Sequence, residues 1–67
     1  MTETEARQLK AGDRVTWTNA PDHPFAPNRT VPGRVVEQSR TCVVFHFNGD
    51  GEHSYLDPRD CECIRRG

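Results

Sequence analysis

The sequence predicts an all-β domain, a small barrel of five strands with a long proline-rich loop between strands 1 and 2. Three stretches carry that expectation. Thr41 to Phe47 (TCVVFHF) is the longest dense apolar run in the chain, and its β-branched and aromatic residues suit a strand. It runs straight into Asn48-Gly49-Asp50-Gly51, two dipeptides that favour positive φ and so a tight hairpin turn. Asp13 to Thr18 (DRVTWT) alternates polar with apolar residues, the two-residue period of a half-buried strand.

In chain order, residues 1–11 read as an N-terminal segment and residues 12–67 as the β domain. Thr2 and Glu5 have the spacing of a capping box, and Gly12 is a plausible helix stop. One or two isolated turns are marginal in water, so this segment is a short helical turn or disordered, with Leu9 its one anchor. On the first strand Val15 and Trp17 share a face, and Arg14, Thr16 and Thr18 share the other. Asn19 to Pro32 holds Pro21, Pro24, Pro27 and Pro32; each removes a ladder donor, so the stretch reads as a stiffened loop.

Gly33 to Gln38 resumes strand character, with Val35 inward and Val36 on the opposite side. Ser39-Arg40 turns the chain into the central strand, where Val43, Phe45 and Phe47 share one face and Cys42, Val44 and His46 the other. Glu52 to Asp57 returns across the hairpin. Pro58-Arg59-Asp60 suits a single 3₁₀ turn, and Cys61 to Arg65 a last short strand anchored by Ile64.

Composition narrows the function. At 67 residues the chain is one domain near the lower limit for an unaided core, with little room for a deep substrate cavity. The net charge of −1 gives no global pull on a polyanion, so any nucleic-acid reading must rest on local patches. Eight of the nine basic residues are Arg, Lys10 being the exception, and Arg offers a planar bidentate grip that Lys lacks. The N-terminus has no apolar core of a signal peptide, and no segment approaches membrane-spanning length. An odd number of cysteines, three, fits a reducing compartment better than a disulfide framework. A cytoplasmic location and no membrane partner are therefore expected.

Gly12-Asp13-Arg14-Val15 leading into strand 1, Gly33-Arg34-Val35 opening strand 2, Val43-Val44-Phe45 in strand 3 and Asp57-Pro58-Arg59-Asp60 before strand 5 follow one another in a familiar order. Strand, long loop, three-strand meander, short turn and final strand are similar to the SH3-like small barrels, including Tudor and KOW-type modules. The resemblance spans roughly residues 9–65 and identifies a fold rather than a function. The Gly-Asp-Arg-Val start and the strand-turn-strand ending also resemble the plasmid-encoded type II dihydrofolate reductases, which as a family form tetramers around a shared pore. Their Val-Gln-Ile-Tyr motif is not present. The nearest stretch is Ser54-Tyr55-Leu56 before Asp57-Pro58, so that family's functional residues do not carry over.

Several side chains become candidates. In SH3-like domains the loop equivalent to Asn19–Pro32 borders the ligand groove, and a proline-stiffened loop loses less entropy on binding. The resemblance therefore points to His23 and Phe25, with Phe25 folding back as a lid the competing reading. Tyr55, edged by Arg14, Arg34 and Arg59, offers an aromatic and cationic surface, whereas alternation with Val15 assigns Trp17 to the core. Cys61 and Cys63, with Cys42 and His46, contain no pair of C-x-x-C knuckles, so no metal or other cofactor is expected. No nucleophile elbow, metalloprotease helix or phosphate loop is present. The apolar second face of the central strand asks for a cover, and Val36, Val44 and His46 are candidates for the interface of a homodimer or higher homo-oligomer. The expected function is a small non-enzymatic binding or adaptor module with a protein or peptide partner. A nucleic-acid-binding module and a small oligomeric enzyme with a site at a subunit interface are the alternatives.

Overall fold

The computed structural model describes all 67 residues. Its first element is α1 (Glu3–Arg7), opened by the capping box: Glu5 N donates to Thr2 Oγ1 at 3.2 Å and Thr2 N donates to Glu5 Oε1 at 3.1 Å. Five residues cannot hold a helix by propensity. Tertiary contacts do so here, because Ala6 and Leu9 are both buried in the core. The carbonyls of Ala6 and Leu9 accept bonds from Gln38 Nε2 at 2.7 and 3.2 Å. Met1 N donates to the Cys61 and Ile64 carbonyls at 3.0 and 2.7 Å, pinning the start of the segment to the far end of the chain.

The rest is one antiparallel sheet of β1 (Arg14–Thr18), β2 (Thr30–Gln38), β3 (Val43–Phe47), β4 (Ser54–Leu56) and β5 (Ile64–Arg66), in the order β4-β3-β2-β1-β5. The all-β class and the five strands agree with the sequence. Closure does not: β4 and β5 end as edges, with no ladder between them. A barrel needs strands long enough to tilt and shear past one another, and each edge strand here has three residues. The chain between them goes instead into a 3₁₀ turn (Pro58–Asp60) packed under α1. Cys61 caps that turn and Cys63 lies in the turn after it, so both precede β5, which starts at Ile64 and not at Cys61, and the two cysteines share no strand face.

β2 begins at Thr30, three residues earlier than the strand start expected at Gly33, and Pro32 lies inside it. Register explains the tolerance. Gly33 pairs with Phe47, so Pro32 falls opposite Asn48, one residue past the end of β3, and its missing N–H interrupts no strand bond. Its carbonyl still accepts from Asn48 N at 2.9 Å. At Gly33 a Cβ would lie 2.5 Å from Phe47 Cδ1 and 2.7 Å from the His46 carbonyl oxygen, so only glycine lets the two strands approach so closely. A bulge follows, because pairing passes from Val35↔Phe45 to Glu37↔Val44 and leaves Val36 as the extra residue. The bulge turns Gln38 to the inner face opposite Val43, where its amide reaches α1.

The core sits on that inner face. Val15, Val35, Val43, Phe45 and Ile64 are buried from the sheet side, and Ala6, Leu9 and Cys61 close over them. Phe45 stacks on Phe47 with centroids 5.7 Å apart, and Phe47 meets Trp17 edge-on at 6.0 Å.

Candidate functional site

Leu9 and α1 cover only part of the inner face. Beyond Phe45 the sheet continues with Trp17 on β1, Val31 directly opposite on β2 and Phe47 on β3, and Leu56 on β4, which pairs with Val43, lines the same space from the side. These four line an open cleft of about 430 Å³. Its rim is polar: Asn19 and Arg29 come from the neck of the proline-rich loop, and Asn48, Asp50 and Ser54 from the β3–β4 hairpin. One cation, Arg29, and one anion, Asp50, thus stand on the rim of an aromatic and aliphatic floor, an arrangement suited to an apolar group carried on a polar backbone.

The neck is tied before the loop departs. Asn19 N donates to the Arg29 carbonyl at 2.9 Å, Asn19 Nδ2 donates to the Ala26 carbonyl at 3.0 Å, and Trp17 Nε1 donates to Asn19 Oδ1 at 2.8 Å. One asparagine therefore fixes both the indole of the floor and the base of the loop. Further out, His23 Nδ1 accepts from the backbone N–H groups of Phe25 and Ala26 at 3.3 and 3.0 Å. Asn28 adopts φ 59°, the left-handed conformation that asparagine tolerates better than most residues. Phe25 does not fold back as a lid: it is 91 % exposed at the tip.

None of the six ligand-site candidates read from the sequence lines this cleft. His23 braces the loop and Phe25 projects from it. Tyr55, 68 % exposed, pairs with Val44 on the outer face. Arg14 and Arg34 also lie outside, directly opposite each other, with His46 opposite Arg34 on the next strand. Arg59 is engaged by Asp57, its N, Nε and Nη2 donating to that carboxylate at 2.9, 3.1 and 3.0 Å. These bonds hold the Asp57 carboxyl down at about 2.

The cleft residues carry weaker local signals. Val31 sits between prolines in what reads as loop, Phe47 and Trp17 read as core by alternation, and Leu56 carries no binding signal of its own. Among the interface candidates, Val44 is 5 % exposed in the single chain, flanked in register by Glu37 and Tyr55. Val36 is the half-buried bulge residue. The His46 ring lies 5.4 Å from that of His53, and its Nε2 is 3.0 Å from the Asp50 carbonyl oxygen.

No group of three or more His, Cys, Asp or Glu side chains converges where a metal could be held. Burial pushes the Cys61 thiol up, which keeps it protonated and a poor nucleophile at neutral pH. No helix is long and apolar enough to cross a membrane. Compared with known proteins, the chain matches no family model, no curated protein and no solved structure.

Proposed function

We propose that this chain is a small non-enzymatic binding module that takes a short extended peptide in the open cleft. The observation that carries the reading is the unfilled end of the inner face: an aromatic and aliphatic lining of Trp17, Val31, Phe47 and Leu56 left open in a domain with very little apolar surface to spare. A cleft of about 430 Å³ accommodates one or two apolar side chains, while Asn19, Asn48 and Ser54 offer partners to a peptide backbone. Strand order β4-β3-β2-β1-β5 with a 3₁₀ turn before the last strand supports an SH3-like module in which the barrel has stayed open. We place it in the cytoplasm, with its three thiols free. Self-association through the outer face loses its motive, because Val44 is already covered within the chain.

Selection of displayed random peptides against the wild-type domain tests this reading, with Trp17, the one tryptophan, as an optical reporter on the cleft floor. Enriched peptides should shift Trp17 emission and lose at least tenfold in affinity for Val31→Asp, a variant checked for an unchanged far-ultraviolet spectrum. Failure to enrich any sequence, or peptides that bind Val31→Asp equally well, would sink the proposal.

A further inference from the structure

The opposite face of the sheet carries a different chemistry. Val35 N donates to the Asp13 carbonyl and Asn19 N to the Arg29 carbonyl, so hydrogen-bonded pairs between β1 and β2 fall at odd-numbered β1 positions. Arg14↔Arg34 is then a non-hydrogen-bonded pair, the type in which side chains come closest. Like charges at such a position destabilise a sheet. Neither is relieved: the three ion pairs of the molecule are Arg7–Glu3, Arg59–Asp57 and Arg66–Asp13.

The charge continues in both directions across the strands. Ile64 pairs with Trp17 and is buried on the inner face, so Arg65, paired with Thr16, faces outward on β5 beside Arg14. His46 lies opposite Arg34 on β3. Arg14, Arg34 and His46 line a shallow basin of about 340 Å³ that includes no Asp or Glu. From Arg65 to His46 the row crosses four adjacent strands, roughly 14 Å at the usual strand spacing. His53 and the exposed Tyr55 follow at its β4 end. Glu37, opposite Val44, and Glu52, beside His53, lie at the margins of the row.

We infer that this outer face is a binding track for single-stranded nucleic acid, with Arg65, Arg14 and Arg34 on successive phosphates and Tyr55 stacking on a base. The charge pattern selects a polyanion, because three unpaired guanidiniums side by side are stabilised by phosphates spaced along a chain. A single strand is favoured over a duplex because the track is one short sheet face, with no helix or ribbon to enter a groove, and because an exposed aromatic stands at its end. The track is separate from the peptide cleft and does not depend on it.

Fluorescence anisotropy with a labelled oligothymidylate tests the inference. At low salt we expect a dissociation constant of roughly 10⁻⁵ M, and with about three phosphates neutralised a log–log salt slope of about −2. Arg34→Gln should weaken binding several-fold and flatten the slope by about 0.7, whereas Arg40→Gln, the same charge change on the Ser39–Arg40 turn, should leave affinity within about twofold. Tyr55→Ala should weaken binding and leave the slope alone, since stacking releases no counterion. The inference is overturned by absence of saturable binding, by equal losses in Arg34→Gln and Arg40→Gln, by tighter binding of a duplex of the same length, or by displacement with inorganic phosphate at matching phosphate concentration. Thermal unfolding of each variant separates a lost site from a lost fold.

Discussion

The inner face of the sheet has two ends built from the same kinds of residue and finished differently. At one end Val15, Val35, Val43, Phe45 and Ile64 are sealed by Ala6, Leu9 and Cys61. At the other Trp17 and Val31 are only half-buried, as is Leu56 at the side of the cleft, and Phe47 alone reaches the core. What differs is the cover. The sealed end has α1 and the 3₁₀ turn, joined by bonds from Gln38 and Met1, whereas the loop at the open end is tied off at its neck by Asn19 and leans away. A marginal domain places its stability at the first end and can leave the second free to bind.

The strongest test of that division is a pair of truncations. Leu9→Ala removes a fully covered side chain and should cost about 2–5 kcal/mol, a large part of the roughly 3–10 kcal/mol to be expected of a chain this size. Val31→Ala, on a half-open floor, should cost less than about 1 kcal/mol. Urea denaturation of both variants is the measurement. Equal losses would mean that the cleft end is covered in solution and that the contrast fails.

A smaller effect is expected at the neck. Asn19→Ala deletes the acceptor for the Trp17 indole and the donor to the Ala26 carbonyl, and two partly exposed bonds of this kind contribute about 1 kcal/mol each at most. Its more telling readout is optical. Trp17 emission should move toward that of a solvated indole while the sealed end stays intact, and an unchanged spectrum would show that Asn19 does not hold the floor of the cleft.

Much of the sheet was legible in the sequence, and most of what covers its inner face, or leaves it open, was not. The alternation of Val15 and Trp17, the run ending at Phe47 and the Asn-Gly turn are local signals, and each named its element. The capping box of Thr2 and Glu5 was equally visible, but whether the segment docks depends on Gln38, which faces inward only because of the bulge at Val36. A bulge has no local spelling. Pro32 misled for a related reason: its missing donor is harmless only in a register that places it beyond β3. The cleft is defined by what fails to cover Val31 and Leu56, and no motif records a missing cover. His23 and Phe25 drew attention as an aromatic pair in a stiff loop, yet the histidine is occupied with the backbone of the loop itself.

Acid supplies the gentlest probe of the same contrast. Two carboxylates held below their usual range belong to the sealed end: Asp57, brought from 3.8 to about 2 by its bonds with Arg59, and Glu5, lowered by the backbone and hydroxyl of Thr2. A carboxylate depressed in the folded state binds its proton more readily when unfolded, so its contribution is complete above the unfolded value and fades as pH falls toward the folded one. For Asp57 that window runs from about pH 4 down to about pH 2. Glu5 is exposed, Asp57 is half-buried with its partner Arg59 open to solvent, and pairs of this kind are screened, so the change in melting temperature should be modest. Asp57→Asn keeps an N-cap acceptor for Arg59 N but has nothing to titrate, so its melting temperature should fall less steeply than the wild type's across this window. Hydrogen exchange at Ala6 and Leu9, followed over the same interval, should accelerate before exchange at Val31. Parallel acid limbs in the two proteins, or loosening that begins at the cleft, would mean that α1 and the 3₁₀ turn are not where acid sensitivity resides.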